Sequence, residues 1–113
     1  MHEYGVTQEL LQLVLRETET AGAWRVLRVN LLLGTFSSVV EDSVRFFWGG
    51  LAAGTPAEGA ALEFAAVAPL ARCRGCQAQY QPNERDQRCP ACGEAIAELL
   101  AGDEFRVESL DVE

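Results

Sequence analysis

Residues 70–100 read LARCRGCQAQYQPNERDQRCPACGEAIAELL, and how this stretch is taken decides how the rest of the chain divides. Cys73, Cys76, Cys89 and Cys92 are spaced C-x2-C-x12-C-x2-C. Two residues between cysteines let a tight knuckle aim both sulfurs at one point. Two such knuckles facing each other across a hairpin make a closed tetrahedral S4 site, the donor set that Zn(II) favours. Rubredoxin-like iron takes the same ligands, and two disulfides or a redox dithiol pair are the other readings. In a reducing compartment metal ligation is the stronger expectation. Gly75 and Gly93 suit the knuckle turns. Arg72, Arg74 and Arg88 stand where they could offset the −2 charge of a zinc tetrathiolate. The stretch has little apolar bulk, so it is expected to be a metal-organised insert that does not fold without the ion. Four protein ligands fill the shell, so the site reads as structural and leaves no position for substrate.

Outward from the insert, the flanks carry helix and strand periodicity. Val6, Leu10, Leu11 and Val14 recur at helical spacing, which predicts a helix from about 6 to 20 capped by Thr7 and stopped by Gly22. Leu27, Val29, Leu31 and Leu33 alternate with polar residues up to Gly34, as a half-buried strand does. Glu41 and Asp42 head a second helix with a Val44, Phe47, Trp48, Leu51 stripe, ended by Gly54 and Pro56. Leu62, Phe64 and Ala66 share one strand face, and EFRVESLDVE is a last strand that pairs back onto the first body. Trp24, Trp48, Phe46 and Phe47 are expected in the core. The predicted class is α/β: two helices packed on a small mixed/antiparallel sheet, with an inserted rubredoxin-like zinc ribbon. The predicted division is 1–69 plus 101–113 for the body and 70–100 for the insert, with hinges near Pro69-Leu70 and Leu100-Gly102.

Composition excludes several functions. The chain has 113 residues, 17 acidic against 9 basic, a net charge of −8, and no lysine. Nucleic-acid binding, which draws on Lys and Arg against phosphates, is a poor fit. No apolar run reaches membrane-spanning length, and His2-Glu3 stands where a signal peptide would be basic, so a cytoplasmic protein is expected. Gly49 to Thr55 (GGLAAGT) only faintly suggests a phosphate loop and lacks the lysine. With all four cysteines committed and one histidine at the chain start, no nucleophile–base pair can be assembled, and no enzymatic activity is expected. The composition leaves monomer and homodimer open.

That lone histidine is residue 2, followed by Glu3. A bulky second residue disfavours removal of Met1. The Met1 amine, the His2 imidazole and the His2 and Glu3 amides then lie within a few bonds of one another. Once the amides ionise, such a cluster wraps a metal in fused chelate rings, and tetragonal nitrogen ligation suits Ni(II) or Cu(II). The Glu3 carboxylate would be either a further ligand or an acceptor that orients the imidazole.

MHEYGV, LLLGTFSSV, GTPAEGA, CRGC, CPACG and GDEFRVESLDVE, in this order and over nearly the whole length, resemble the HypA/HybF family of nickel metallochaperones for [NiFe]-hydrogenase maturation. The resemblance implies an α/β nickel domain with a zinc domain inserted between strands. It implies Ni(II) as transient cargo at Met1, His2 and Glu3, and a structural Zn(II) at Cys73, Cys76, Cys89 and Cys92. It also implies a HypB-like GTPase partner, and delivery to the hydrogenase large subunit or, for some members, to urease. Family members usually have Ser or Thr where this chain has Gly5, and several have an acid where Val40 stands. The alternative is a zinc-ribbon adaptor for protein or nucleic acid with no nickel role.

Overall fold

The computed structural model describes residues 2–83 and 85–113. In chain order the elements are α1 (His2–Thr20), β1 (Val26–Gly34), α2 (Glu41–Leu51), β2 (Ala61–Val67), β3 (Leu70–Cys73), β4 (Gln79–Tyr80), β5 (Ala97–Ala101) and β6 (Phe105–Val112). They form two three-stranded sheets, β2-β1-β6 and β4-β3-β5. The chain divides into two compact units. One comprises the chain up to Leu32, Val39–Ala65 and Arg106–Glu113; the other comprises Leu33–Ser38 and Ala66–Phe105.

In the first unit α1 buries Thr7, Leu10, Leu11, Val14 and Thr18, the i, i+3, i+4, i+7 stripe of an amphipathic helix. The helix begins at His2, four residues before the predicted start, and Thr7 is not its cap. Thr7 lies fully buried in the second turn, its hydroxyl donating to the Glu3 carbonyl at 2.5 Å. Thr18 does the same to Val14 at 2.7 Å. A buried hydroxyl satisfied by the i−4 carbonyl can sit on an apolar stripe, which is why the residue type misled. Gly5 is exposed and its missing Cβ would touch nothing, so the helix carries it at the ordinary cost of about 1 kcal/mol. At the other end Gly22 takes φ +69°. The Ala23 and Gly22 N–H groups donate to Thr18 and Glu19 carbonyls at 3.1 and 3.0 Å, the paired bonds of a Schellman stop.

β1 is the centre of the first sheet. It joins β2 through α2, and Val26 and Thr35 N–H donate to Pro56 and Val67 carbonyls in ascending order, as parallel strands do. Towards β6 the pairing descends, with Arg25 against Glu113 and Asn30 against Ser109, so that pair is antiparallel and the sheet is mixed. Val26, Val29 and Leu31 of β1 pack with Leu10, Leu11, Val14, Val44, Trp48 and Leu62 in the core. Two of the four aromatics expected in that core are outside it: Trp24 is 68% and Phe46 77% exposed. Phe46 lies between Val44 and Trp48, whose i, i+4 spacing fixes the buried side of α2. Trp24 falls in the connection before β1.

In the second unit β3 pairs antiparallel with β4 (Ala71 opposite Tyr80) and with β5 (Cys73 opposite Ala97). Both expected hinge segments lie in a tight crossing with a third. Gly34 N–H donates to the Glu104 carbonyl and Phe36 N–H to the Gly102 carbonyl, both at 2.7 Å. A Cβ on Gly34 would stand 2.0 Å from the Gly102 carbonyl oxygen; one on Gly102, at φ +113°, would stand 2.6 Å from Pro69 Cα. Backbone cannot yield as a flexible side chain can. Gly34→Ala is therefore expected to destabilise by about 4 kcal/mol or more, lowering the melting temperature by roughly 15 °C in a thermal denaturation scan.

Candidate metal centre

The two knuckles are built alike. Cys73 N–H donates to the Ala78 carbonyl and Cys89 N–H to the Glu94 carbonyl, each at 2.9 Å; Gln77 N–H returns to Cys73 at 2.9 Å and Gly93 N–H to Cys89 at 2.8 Å. The equivalences 73 with 89, 76 with 92 and 77 with 93 follow. At the last pair the backbone turns left-handed, φ +67° at Gln77 and +79° at Gly93. Glycine adopts this conformation freely, whereas a Cβ costs about 1 kcal/mol there. Gln77→Gly, which gives the first knuckle the residue of the second, is expected to raise stability by a few tenths to 1 kcal/mol despite the added freedom of the unfolded chain. A rise in the denaturant midpoint of the metal-loaded protein measures it; a fall removes the equivalence argument.

The four sulfurs lie within 4.8 Å of one another. Two close approaches run between knuckles, Cys73 to Cys92 at 3.5 Å and Cys76 to Cys89 at 3.6 Å. A zinc–sulfur bond of about 2.3 Å in a tetrahedron requires sulfur separations of roughly 3.8 Å, so the donor set fits that ion. No disulfide links them. Cys73 and Cys89 are buried with Ala71 and Tyr80, while Cys76 and Cys92 face outwards. N–H groups of Cys76 and then Gly75 bring the Cys73 thiol down to about 7 against the pull of burial. Cys92 gains an N–H from Glu94, but its cysteine neighbours and burial outweigh that bond and push it up to about 12. Sulfurs so close cannot all ionise without a cation among them; a divalent metal removes the conflict.

Two features of this centre were not legible in the sequence. Tyr80 packs under the cysteines with its hydroxyl donating to the Gln87 carbonyl at 2.7 Å. The second concerns charge. Arg88 forks onto Asp86 at 2.9 and 3.1 Å, and Arg72 lies 4.0 Å from Glu98. Two of the three arginines expected to offset the tetrathiolate are thus already met by carboxylates, leaving only Arg74 without an ion pair among the described residues.

At the other candidate site, Met1 lies outside the described residues. His2 is half exposed, and its Nε2 stands 2.7 Å from Oε2 of Glu3, whose side chain is only 15% exposed. His2 and Glu3 are the first residues of α1, so their amide N–H groups have no acceptor within the helix. The GGLAAGT stretch forms the C-terminal end of α2 and the following turn. Carbonyls point out there, the reverse of a phosphate cradle. Among the described residues no helix is long and apolar enough to cross a membrane.

The family described as "Hydrogenase/urease nickel incorporation, metallochaperone, hypA" matches residues 1–112. Relatives include the hydrogenase maturation factor HypA of Dehalococcoides mccartyi, 39% identical over all of this chain and 95% of the relative. That of Geotalea uraniireducens is 37% identical over the full length of both. Among solved structures, the solution structure of the Ni metallochaperone HypA from Helicobacter pylori superposes with a TM-score of 0.73 at 20% identity, over 97% of this chain and 96% of that one. A second HypA solution structure gives 0.78 at 23%, over 100% and 97%. At these identities the two structures establish a shared fold.

Proposed function

This chain belongs to the HypA family of hydrogenase/urease nickel-incorporation metallochaperones, and on that premise we propose that it takes up Ni(II) at its own first three residues. The ligands are the Met1 amine, the amides of His2 and Glu3 and the His2 imidazole. The observation that carries the reading is the place of His2 and Glu3 at the start of α1. Helical ψ turns successive N–H groups the same way, and at a helix start those groups have no internal acceptor. Two adjacent amide nitrogens are thus free to face one ion.

In this site the imidazole binds through Nδ1, which closes a six-membered chelate with its own amide nitrogen. Glu3 ligates through its backbone, while its carboxylate oxygen stands 2.7 Å from Nε2 without an aligned hydrogen bond.

Cys73, Cys76, Cys89 and Cys92 hold a structural Zn(II) that organises residues 70–100, within the unit described above. The cargo passes to a [NiFe]-hydrogenase large subunit, with urease as a second recipient, in the cytoplasm and with a HypB-like GTPase partner. A seat made mostly of backbone nitrogen suits transfer, because competing ligands and protons can dismantle it.

The test is calorimetric nickel titration of untagged, zinc-loaded protein against a chain extended by one residue before Met1. The extension moves the amine away from the chelate and leaves the cysteines untouched. Loss of tight nickel binding with unchanged zinc content is expected. Equal binding by both chains would leave the adaptor reading in its place.

A further inference from the structure

His2 and Glu3 stand in the first turn of α1, and helix ends fray. Whether that turn stays wound matters to a chelate through one torsion. The amide nitrogens of His2 and Glu3 are related by ψ of His2, and a five-membered chelate ring needs that torsion near zero. Helical ψ, about −42°, keeps both nitrogens on one side of the chain, whereas extended ψ, about +135°, turns them apart. A frayed first turn has to be rewound before it can bind, so the apparent affinity falls with the fraction already wound.

Two adjacent residues act on that turn in opposite directions. Gly5 loosens it. The residue is exposed, and a Cβ built there has nothing within 4 Å, so no close approach requires a glycine and only its backbone freedom is felt. Tyr4 ties the turn down. Its ring stands edge-on to Phe47 of α2, with centroids 5.3 Å apart and planes at 88°, an arrangement that aromatic pairs favour. Tyr4 is 41% exposed, so the larger part of it is covered. Phe47 is itself met by Phe46 at 5.3 Å and 72°, and α2 is fixed in the core by the buried Val44 and Trp48. The Thr7 hydroxyl on the Glu3 carbonyl closes the turn from within α1. The Tyr4 ring fastens it to a second element that does not fray with it.

We infer that Tyr4, seated on Phe47, is a positioning residue for nickel: it keeps the first turn of α1 wound, and with it the His2 and Glu3 nitrogens on one side, at a place where Gly5 loosens the backbone. Neither ring touches the ion. The inference rests on the nickel reading above and makes affinity depend on residues that are not ligands. Tyr4→Ala removes the ring and is expected to weaken nickel binding roughly 3- to 10-fold. Tyr4→Phe keeps the edge-on contact and is expected to bind as the wild type does. Gly5→Ala raises the wound fraction. Its gain is expected to be about twofold in the wild type and larger in Tyr4→Ala, where more of the turn is frayed.

Calorimetric nickel titration of the untagged, zinc-loaded full chain is the test, run on the wild type, the three single variants and Tyr4→Ala combined with Gly5→Ala. Protons released per nickel and the d–d absorption of the bound ion should be the same in all five, because the ligands are the same. Tyr4→Ala that binds as tightly as the wild type overturns the inference. So does Tyr4→Phe that loses as much as Tyr4→Ala, and Gly5→Ala that recovers nothing in the Tyr4→Ala chain. A changed absorption or proton count in Tyr4→Ala alters the ligand set and overturns it as well. Phe47→Leu takes away the seat; it should weaken binding alone and add nothing to Tyr4→Ala, and additive losses overturn the contact. Wild-type protein that takes up no nickel overturns the nickel reading together with this inference, whereas tight binding indifferent to Tyr4 overturns this inference alone. Should Tyr4→Ala misfold, hydrogen exchange without nickel decides. Amides of Val6 and Thr7, which bond back to the first-turn carbonyls in an α-helix, are better protected in Gly5→Ala than in the wild type if the turn frays, and equal protection overturns the inference.

Discussion

Stripping the zinc with a chelator is expected to unfold residues 66–105 while α1 and α2 stay folded. The described core of that part of the chain is Ala71, Cys73, Tyr80 and Cys89 with Ala78 against them, and half of those four buried residues are metal ligands. Such a core is far below what ordered backbone requires at about 1–2 kcal/mol per residue. A structural zinc in a small domain contributes about 10–16 kcal/mol of apparent binding free energy, and that energy is folding energy. The first unit is differently placed. Leu10, Leu11, Val14, Val26, Val29, Leu31, Val44, Trp48 and Leu62 make an apolar core without any cysteine.

Hydrogen exchange separates the two outcomes. On chelation, amides of β3 and β5 should exchange at unfolded rates and those of α1 should not change. Cys73→Ser, which removes a buried ligand, should reproduce the chelated pattern. Acid should act in the same direction. Zinc holds thiols as thiolates, so the stability it confers is present at neutral pH and is lost as falling pH protonates the sulfurs. Cys73, already drawn to about 7 without metal, is the cysteine whose folded-state preference runs with the ion. Cys92, pushed to about 12, is the one that most needs it. Exchange of β3 that is indifferent to the chelator would show that the sheet stands without the metal.

The parts of this structure that could be read from the residues are those governed by spacing alone. C-x2-C repeated twice brings four sulfurs together because two intervening residues leave a knuckle few other shapes. The helices and β1 follow from period and stop signals such as Gly22. What escaped depends on partners distant in sequence. Thr7 looks like a cap until the carbonyl four residues back satisfies its hydroxyl. Gly34 looks like a strand end, yet its place is fixed by Gly102, 68 residues on, whose carbonyl fills the space of its side chain. For the same reason Leu33–Ser38 falls with residues 66–105, a grouping that composition does not mark. Phe46 and Phe47 are chemically alike and neighbours, and only the phase of α2, set by Val44 and Trp48, puts one in water. At the chain start, sequence supplied the nitrogens and left the role of the Glu3 carboxylate open.

His2→Ala is expected to abolish tight nickel binding while leaving fold and zinc content unchanged. In the proposed site the imidazole is at once a ligand and one arm of the chelate, so its loss would remove a bond and a ring. Removing only a supporting partner of a ligand typically costs 10- to 100-fold in affinity, so removal of the ligand should cost about 100-fold or more. Stability should hardly move, because His2 is half exposed at the helix start. Alanine is moreover the better helix former. Protons give a second readout. Closing the site expels them from the amine and from each ionised amide, so affinity must rise with pH, and more than one proton should leave per nickel. Calorimetry in buffers of different ionisation enthalpy counts those protons directly. A count near zero would mean that the amides stay protonated and that nickel is held by side chains alone. In that case the His2 and Glu3 side chains would have to bind it without the backbone, and the helix start would lose its part in the chemistry. A large proton count that persists in His2→Ala would place the ion elsewhere. Only a large count in the wild type that disappears with the imidazole ties nickel to the first turn of α1.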